Sequence, residues 1–134
     1  MARKLSLDAI EIVYKLLVAG HITLEIFKGN KPQSFNGECI VINALPISSD
    51  QLQTCTMNVN VFVPNLELEI AGKQDNSQAN YPRIKELSLL VTEILKEVDV
   101  DDWSLNIEWE YILENEGFNE HFNNFRISFR NENL

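Results

Sequence analysis

The stretch that most constrains the fold is Thr54–Val63, TCTMNVNVFV, which alternates at period two along its whole length. Cys55, Met57, Val59, Val61 and Val63 fall on one face, and Thr54, Thr56, Asn58, Asn60 and Phe62 on the other. Successive side chains of a strand point to opposite sides of a sheet, so the pattern predicts a half-buried antiparallel strand. One face rests on a core, and the other meets water or a partner. Such a strand needs a layer over its apolar face. After Pro82 the apolar period changes to that of a helix, with Ile84, Leu87, Val91, Ile94, Leu95 and Val98 in one stripe. Pro82 suits a first helical turn, where its missing N–H costs nothing, and Asn80 is the expected cap.

The remaining segments supply a second helix and further strands. Ser6 is a plausible cap, Asp8 suits the positive end of a helix dipole, and Ile10, Val13, Leu16 and Leu17 make an apolar stripe that Gly20 ends as a C′ residue. His21–Phe27 alternates as a short strand, and a loop rich in Gly, Asn and Pro follows. Glu38–Leu45 is apolar on both faces, as a central strand is, and Pro46 stops it. In Leu66–Tyr81, LELEIA either extends the strands or begins an excursion, and GKQDNSQANY is polar. A connection this long is a functional or mobile loop, or an ordinary one. Trp103–Leu113 and Phe122–Arg130 read as two strands joined by the turn ENEGFNE. Matching aromatic and opposite-charge partners sets Tyr111 beside Phe125, Trp109 beside Ile127, Ile107 beside Phe129, Glu110 beside Arg126 and Glu108 beside Ser128. The expectation is a single α+β domain over residues 1–134, with a largely antiparallel sheet of about five strands and two helices packed on one face.

Charge and composition restrict the function. A chain of 134 residues with 45% hydrophobic content buries a core without help from a metal or disulfide. A net charge of −9 argues against a general nucleic-acid binder and against an anionic membrane surface. From Glu93 onward acids far outnumber Lys96, Arg126 and Arg130, giving one acidic end. Cys39 and Cys55 sit among apolar neighbours and read as free buried thiols, which suits a reducing cytoplasm; a disulfide between adjacent strands is the lesser alternative. No apolar run reaches the length of a membrane span, and Asp8 and Glu11 inside the first apolar stretch mark a helix of the mature protein rather than a signal peptide.

No reaction announces itself. Gly-rich phosphate-binding patterns are missing, and Cys39, Cys55, His21 and His121 are too scattered for a zinc pattern, so no cofactor and no metal are expected. Glu108 and Glu110 share a strand face at a spacing that suggests a glycosidase pair. A solvated acidic face opposed by Arg126 and Arg130 describes them better. Trp103, Trp109, Phe125 and Phe129 would stack bases or sugars, but they alternate with Leu105, Ile107 and Ile127 as core residues do.

The order of segments resembles that of the small tail-completion proteins of long-tailed phages, the tail terminator and head–tail joining families. Those chains open with a helix, then carry a short strand and a Pro-containing loop, here GHITLEIFKGNKPQSFNGECIVIN. A long alternating strand follows (TMNVNVFVPN), and a long loop leads to an amphipathic helix (YPRIKELSLLVTEILKEV). The similarity covers roughly Leu5 to Val98 and lies in pattern and order, closest at NVNVFVPN before N-Y-P-R-I. The resemblance implies a virion or prophage structural protein, not an enzyme. It would form a ring, commonly hexameric, that caps the tail tube or joins it to the connector. Its partners would be further copies of itself and other phage tail or connector proteins, with no sequence-specific nucleic acid and no membrane. It would reside in the cytoplasm of a bacterial host or in the assembled virion. The contacts expected are Asn58, Asn60 and Phe62 on the strand's polar face, with Glu67, Glu69, Lys73 and Asp75 in the long loop. Two other classes compete: a small soluble protein-binding module using an acidic sheet face, and an enzyme with an unrecognised acidic site.

Overall fold

The computed structural model describes residues 3–132. Helix α1 (Ser6–Ala19) begins one residue earlier than a Ser6 cap would place it. Leu5 holds the capping position, and the Asp8 carboxylate accepts a hydrogen bond from its N–H at 2.6 Å. The helix buries Ala9, Ile10, Val13 and Leu17. Gly20 caps its end with φ −82°, and His21 takes the left-handed conformation instead, at φ 64°. A side chain at this position would push aside the end of a neighbouring one. A Cβ there would lie 2.4 Å from Cδ1 of Ile94 on the second helix.

Strands β1 (Glu25–Lys28), β2 (Cys39–Ile47) and β3 (Leu52–Pro64) follow. A small hairpin, β4 (Leu68–Ile70) and β5 (Lys73–Asp75), precedes helix α2 (Tyr81–Leu95). Then come β6 (Glu97–Asp99), β7 (Trp103–Asn115) and β8 (Glu120–Glu132). The main sheet has six strands in the order β1-β2-β3-β8-β7-β6, and β4 and β5 form a separate two-stranded sheet. All pairs in the main sheet are antiparallel except β1 with β2. The architecture is therefore α+β with a mixed sheet, larger than the five strands expected. The parallel pair arises because residues 29–38 carry the chain back along β2. That loop sets Phe35 edge-on to Phe27, with ring centroids 5.0 Å apart.

β2 runs past Pro46 rather than stopping there. Its register on β3 shifts between Ala44 and Ile47, and β1 pairs with it only as far as Ile42. A bulge on an edge segment tolerates a residue without an N–H. β3 is the central strand, paired with β2 on one side and β8 on the other. Its expected apolar face is buried throughout, with Met57, Val59 and Val61 at 0% exposure.

Both helices cover that face. α2 is capped by Asn80, whose Oδ1 accepts from the Arg83 N–H at 3.2 Å, and it buries Ile84, Leu87, Val91 and Leu95. Arg83 then ties the helix to the start of β2 through a two-pronged contact with Glu38, at 2.7 and 2.8 Å. Phe125, Ile127 and Phe129 of β8 complete the main core, together with Ile40, Ile42 and Leu105. A second apolar cluster of Cys39, Val41 and Phe62 lies on the opposite face, packed by Phe27, Phe35 and Phe122. Cys39 and Cys55 are both free and belong to different clusters.

The β7–β8 hairpin does not adopt the register read from cross-strand matching. Leu105 faces Phe129, Ile107 faces Ile127, and after a shift at Glu108 Trp109 faces Arg126 and Glu110 faces Phe125. The turn over 116–119 uses left-handed Gly117 and Asn119 and pairs Asn115 with Glu120. Each cross-strand side-chain match contributes at most about 1 kcal/mol. The Phe125, Ile127 and Phe129 face is buried in the main core beneath the helices, a larger contribution than several such matches. The shift at Glu108 turns Trp109 and Tyr111 away from the helices, so Trp109 is not part of the core.

Candidate functional site

The face of the sheet opposite the helices carries a row of amides. Asn58 donates from Nδ2 to Asn43 Oδ1 at 2.9 Å. Asn124 Nδ2 donates to Asn60 Oδ1 at 2.6 Å and to Asn58 Oδ1 at 3.2 Å. The row crosses β2, β3 and β8, and Asn58 and Asn60 are only half-buried. These side chains satisfy one another; Asn43, Asn58 and Asn60 remain partly accessible from outside, while Asn124 is buried between them. Further along the same face the Arg126 guanidinium lies 5.0 Å from the Trp109 ring centre, and Trp109 lies 5.3 Å from Tyr111.

Phe62, expected on this open face, is instead covered. It stacks on Phe122 at 4.8 Å and is 8% exposed. The Lys31 ammonium sits 4.8 Å from its ring centre and forms an ion pair with the buried Glu120 carboxylate. Asn115 Nδ2 donates to that same carboxylate at 2.6 Å. The long connection between β1 and β2 supplies this cover, a packing decision that alternation within one strand does not encode.

Glu67, Glu69, Lys73 and Asp75 lie on or beside the β4–β5 hairpin. Glu69 faces Gln74 across it, Leu68 faces Asp75 and Ile70 faces Lys73. Its two-residue turn holds Ala71 at φ 53° and Gly72 at φ 77°, the conformation that tight hairpins favour. Residues 69–74 are all exposed, so this is an arm rather than a formless loop. Asp75 is engaged locally. It accepts from the Ser77 hydroxyl at 2.6 Å and the Ser77 N–H at 2.8 Å, and these bonds hold its carboxyl below the usual range. Asn58 and Asn60 share one sheet face, while the four hairpin residues form a separate group beyond the end of β3.

A groove of about 680 Å³ opens between α2 and the outer half of β7. Ile84 and Leu89 wall it on the helix side, with Ile112 and Phe125 on the sheet side. Asn123, 3% exposed, lines it and donates from Nδ2 to Ser88 Oγ at 2.8 Å. Its Oδ1 has no hydrogen-bond partner among the described residues. Glu110 borders the groove as well, because the shift at Glu108 places it opposite Phe125. Sequence reading had no access to this groove, since it depends on the altered register of the hairpin.

The thiols are poor nucleophiles. Burial pushes the Cys39 thiol up to about 11, with Glu120 and Glu25 adding to the rise and Lys31 opposing it. Burial also raises the Cys55 thiol. Among the described residues no group of His, Cys, Asp and Glu has the arrangement of a metal site, and no helix is long and apolar enough to cross a membrane. No protein-family model matches the chain, and no curated protein sequence matches it.

Proposed function

We propose that the chain is a phage or prophage structural protein that completes the tail, or joins tail to head, as one subunit of a ring. On this reading it works by assembly and not by catalysis. One observation carries the reading: the sheet face opposite the helices is covered only at the end where the 29–38 loop packs on Phe62, and is otherwise open. Both helices lie on one face, the other face keeps its amide row half-open, and the β4–β5 arm stands exposed beyond β3. A subunit covered by its neighbours needs such surfaces. The segment order that resembles tail-completion proteins agrees with it. Asn58, Asn60, Glu67, Glu69 and Lys73 would meet neighbouring subunits or other tail and connector proteins. Phe62 and Asp75 would support that surface from within. The net charge of −9 suits a channel through which DNA passes without binding, because like charge repels phosphate. The protein would act in the cytoplasm of a bacterial host and then in the virion.

Mass by light scattering, over a concentration series at two salt levels, tests the proposal. A discrete multimer is expected, hexameric above all, with rings of matching size by electron microscopy. A monomer at every concentration, with no rings on the grids, would count against it.

A second reading, the protein-binding module, draws support from the outer half of β7, which among the described residues lacks a neighbouring strand on one side. The third reading, an enzyme, loses one candidate pair. The shift at Glu108 breaks the regular alternation from which a shared face with Glu110 was read.

A further inference from the structure

We propose that the free edge of β7 over residues 108–115, with the groove beneath α2, is a docking site for an extended basic segment of another protein, which joins the sheet as an added strand. The inference does not rest on the ring reading, since it concerns a different part of the surface.

β6 pairs with β7 only at residues 104–106, and the last rung is the Ile107 N–H donating to the Lys96 carbonyl at 3.2 Å. Beyond it, β7 has β8 on one side and no strand on the other among the described residues. Exposure agrees with this geometry. Glu108 through Ile112 are all exposed, whereas a strand covered on one face buries alternate residues. A long edge with unpaired backbone groups is a template for strand addition. The bulge at Glu108 and the charge of Glu110 are the usual devices that discourage indiscriminate pairing.

The surroundings select the occupant. Alternate side chains of an added strand would fall into the groove against Leu89 and Ile112, and the others would lie beside the Trp109 and Tyr111 rings. Residues 97–125 contain no Lys or Arg, and Glu108, Glu110, Glu114 and Glu116 line the strand and its turn. A second copy pairing through the same edge would set these carboxylates against one another, which is destabilising. A basic segment would instead neutralise them. At the groove floor the buried Asn123 Oδ1 has no donor among the described residues, and an inward Lys or Arg side chain supplies one. Lys85 on the helix wall is the cation such a segment must pass, so the match is specific to the β7 side.

The probe is a synthetic peptide of alternating Lys and Val, about ten residues long, titrated into the intact protein. Hydrogen exchange and tryptophan fluorescence report binding. The peptide should slow amide exchange over residues 108–115 by about tenfold or more, and added salt should weaken it. The same peptide N-methylated at alternate residues cannot complete the ladder and should bind at least about tenfold more weakly. A Glu/Val peptide should not bind, and Glu110→Lys should weaken the Lys/Val peptide several-fold. Equal binding of the plain and N-methylated peptides would overturn the proposal, as would protection confined to other segments. So would no binding of the Lys/Val peptide at millimolar concentration. Protection of 108–115 that rises with protein concentration alone would overturn it too, by showing that a second copy occupies the edge.

Discussion

β3 and β7 are each 13 residues long, and both alternate polar and apolar residues in sequence. In space only β3 keeps the alternation from end to end. β7 keeps it as far as Ile107, then shifts, so that Trp109 and Tyr111 point away from the helices and Glu110 points toward them. The difference lies in the neighbours. β2 and β8 together hold β3 along nearly its whole length. β7 has β8 on one side and only three residues of β6 on the other. Alternation in a sequence thus specifies that a strand forms, while pairing on both flanks decides which face each residue takes.

Three measurements break or sharpen this contrast. The largest effect belongs to Met57→Ala in β3, which empties a fully buried site and should cost about 2–5 kcal/mol in urea unfolding. Trp109→Ala in β7 should cost less than about 1 kcal/mol, since the ring is 42% exposed and loses mainly its contact with Arg126. Equal costs would mean that the two strands are buried alike, and the contrast would fail.

Next in size is Gln53→Leu at the start of β3. Gln53 is 1% exposed; its Nε2 donates to the Ser48 and Lys4 carbonyls, and its Oε1 accepts from the Lys4 N–H and from Asn131 Nδ2, all at 2.9 Å. Leucine fills the volume but leaves those groups without their partner, a loss of about 1–3 kcal/mol. A neutral result would show that β3 is held by its apolar face alone.

The smallest effect is a pH dependence where Arg83 ties α2 to the start of β2. The Arg83 guanidinium holds the Glu38 carboxyl below the ordinary glutamate range, against the opposing effect of partial burial. A carboxyl depressed in the folded state contributes its stability above the unfolded value, and loses it as pH falls through the folded one. The stability gap between the wild type and Glu38→Gln, at most about 1 kcal/mol at neutral pH for so exposed a pair, should therefore close in acid below the ordinary glutamate range. A gap that persists there would assign it to packing rather than to charge.

The sequence was legible where one element's own pattern decided the outcome. The stripe of α2 as far as Leu95, its Asn80 cap and the buried face of β3 all follow from local spacing, whereas Val98, read as part of that stripe, lies in β6. It was not legible where a distant segment decided. Phe62 alternates with the polar residues of β3, yet Lys31 and Phe35 of the 29–38 loop and Phe122 of β8 cover it from two other parts of the chain. The amides of Asn58 and Asn60 were visible as a polar face, but their partners Asn43 and Asn124 lie on other strands. In the excursion, Ala71-Gly72 makes a tight turn with a residue that rarely adopts the left-handed conformation, so no strong turn signal marks the β4–β5 arm. The groove escaped for the same reason as the register, because both depend on one extra residue at Glu108.

The pairing of β3 with β8 also sets a timetable. β8 is the last strand of the described chain, and Leu52 waits for Glu132 as Pro64 waits for Glu120. At translation rates of roughly 5–20 residues per second, the central strand is made several seconds before its second neighbour exists. Contacts this distant also close slowly, on the order of milliseconds to seconds even in a finished chain. During synthesis the β2–β3 pair must stay soluble with one flank open and an apolar face uncovered by α2. A product cut short before β8 would retain the interrupted pair and no completed core.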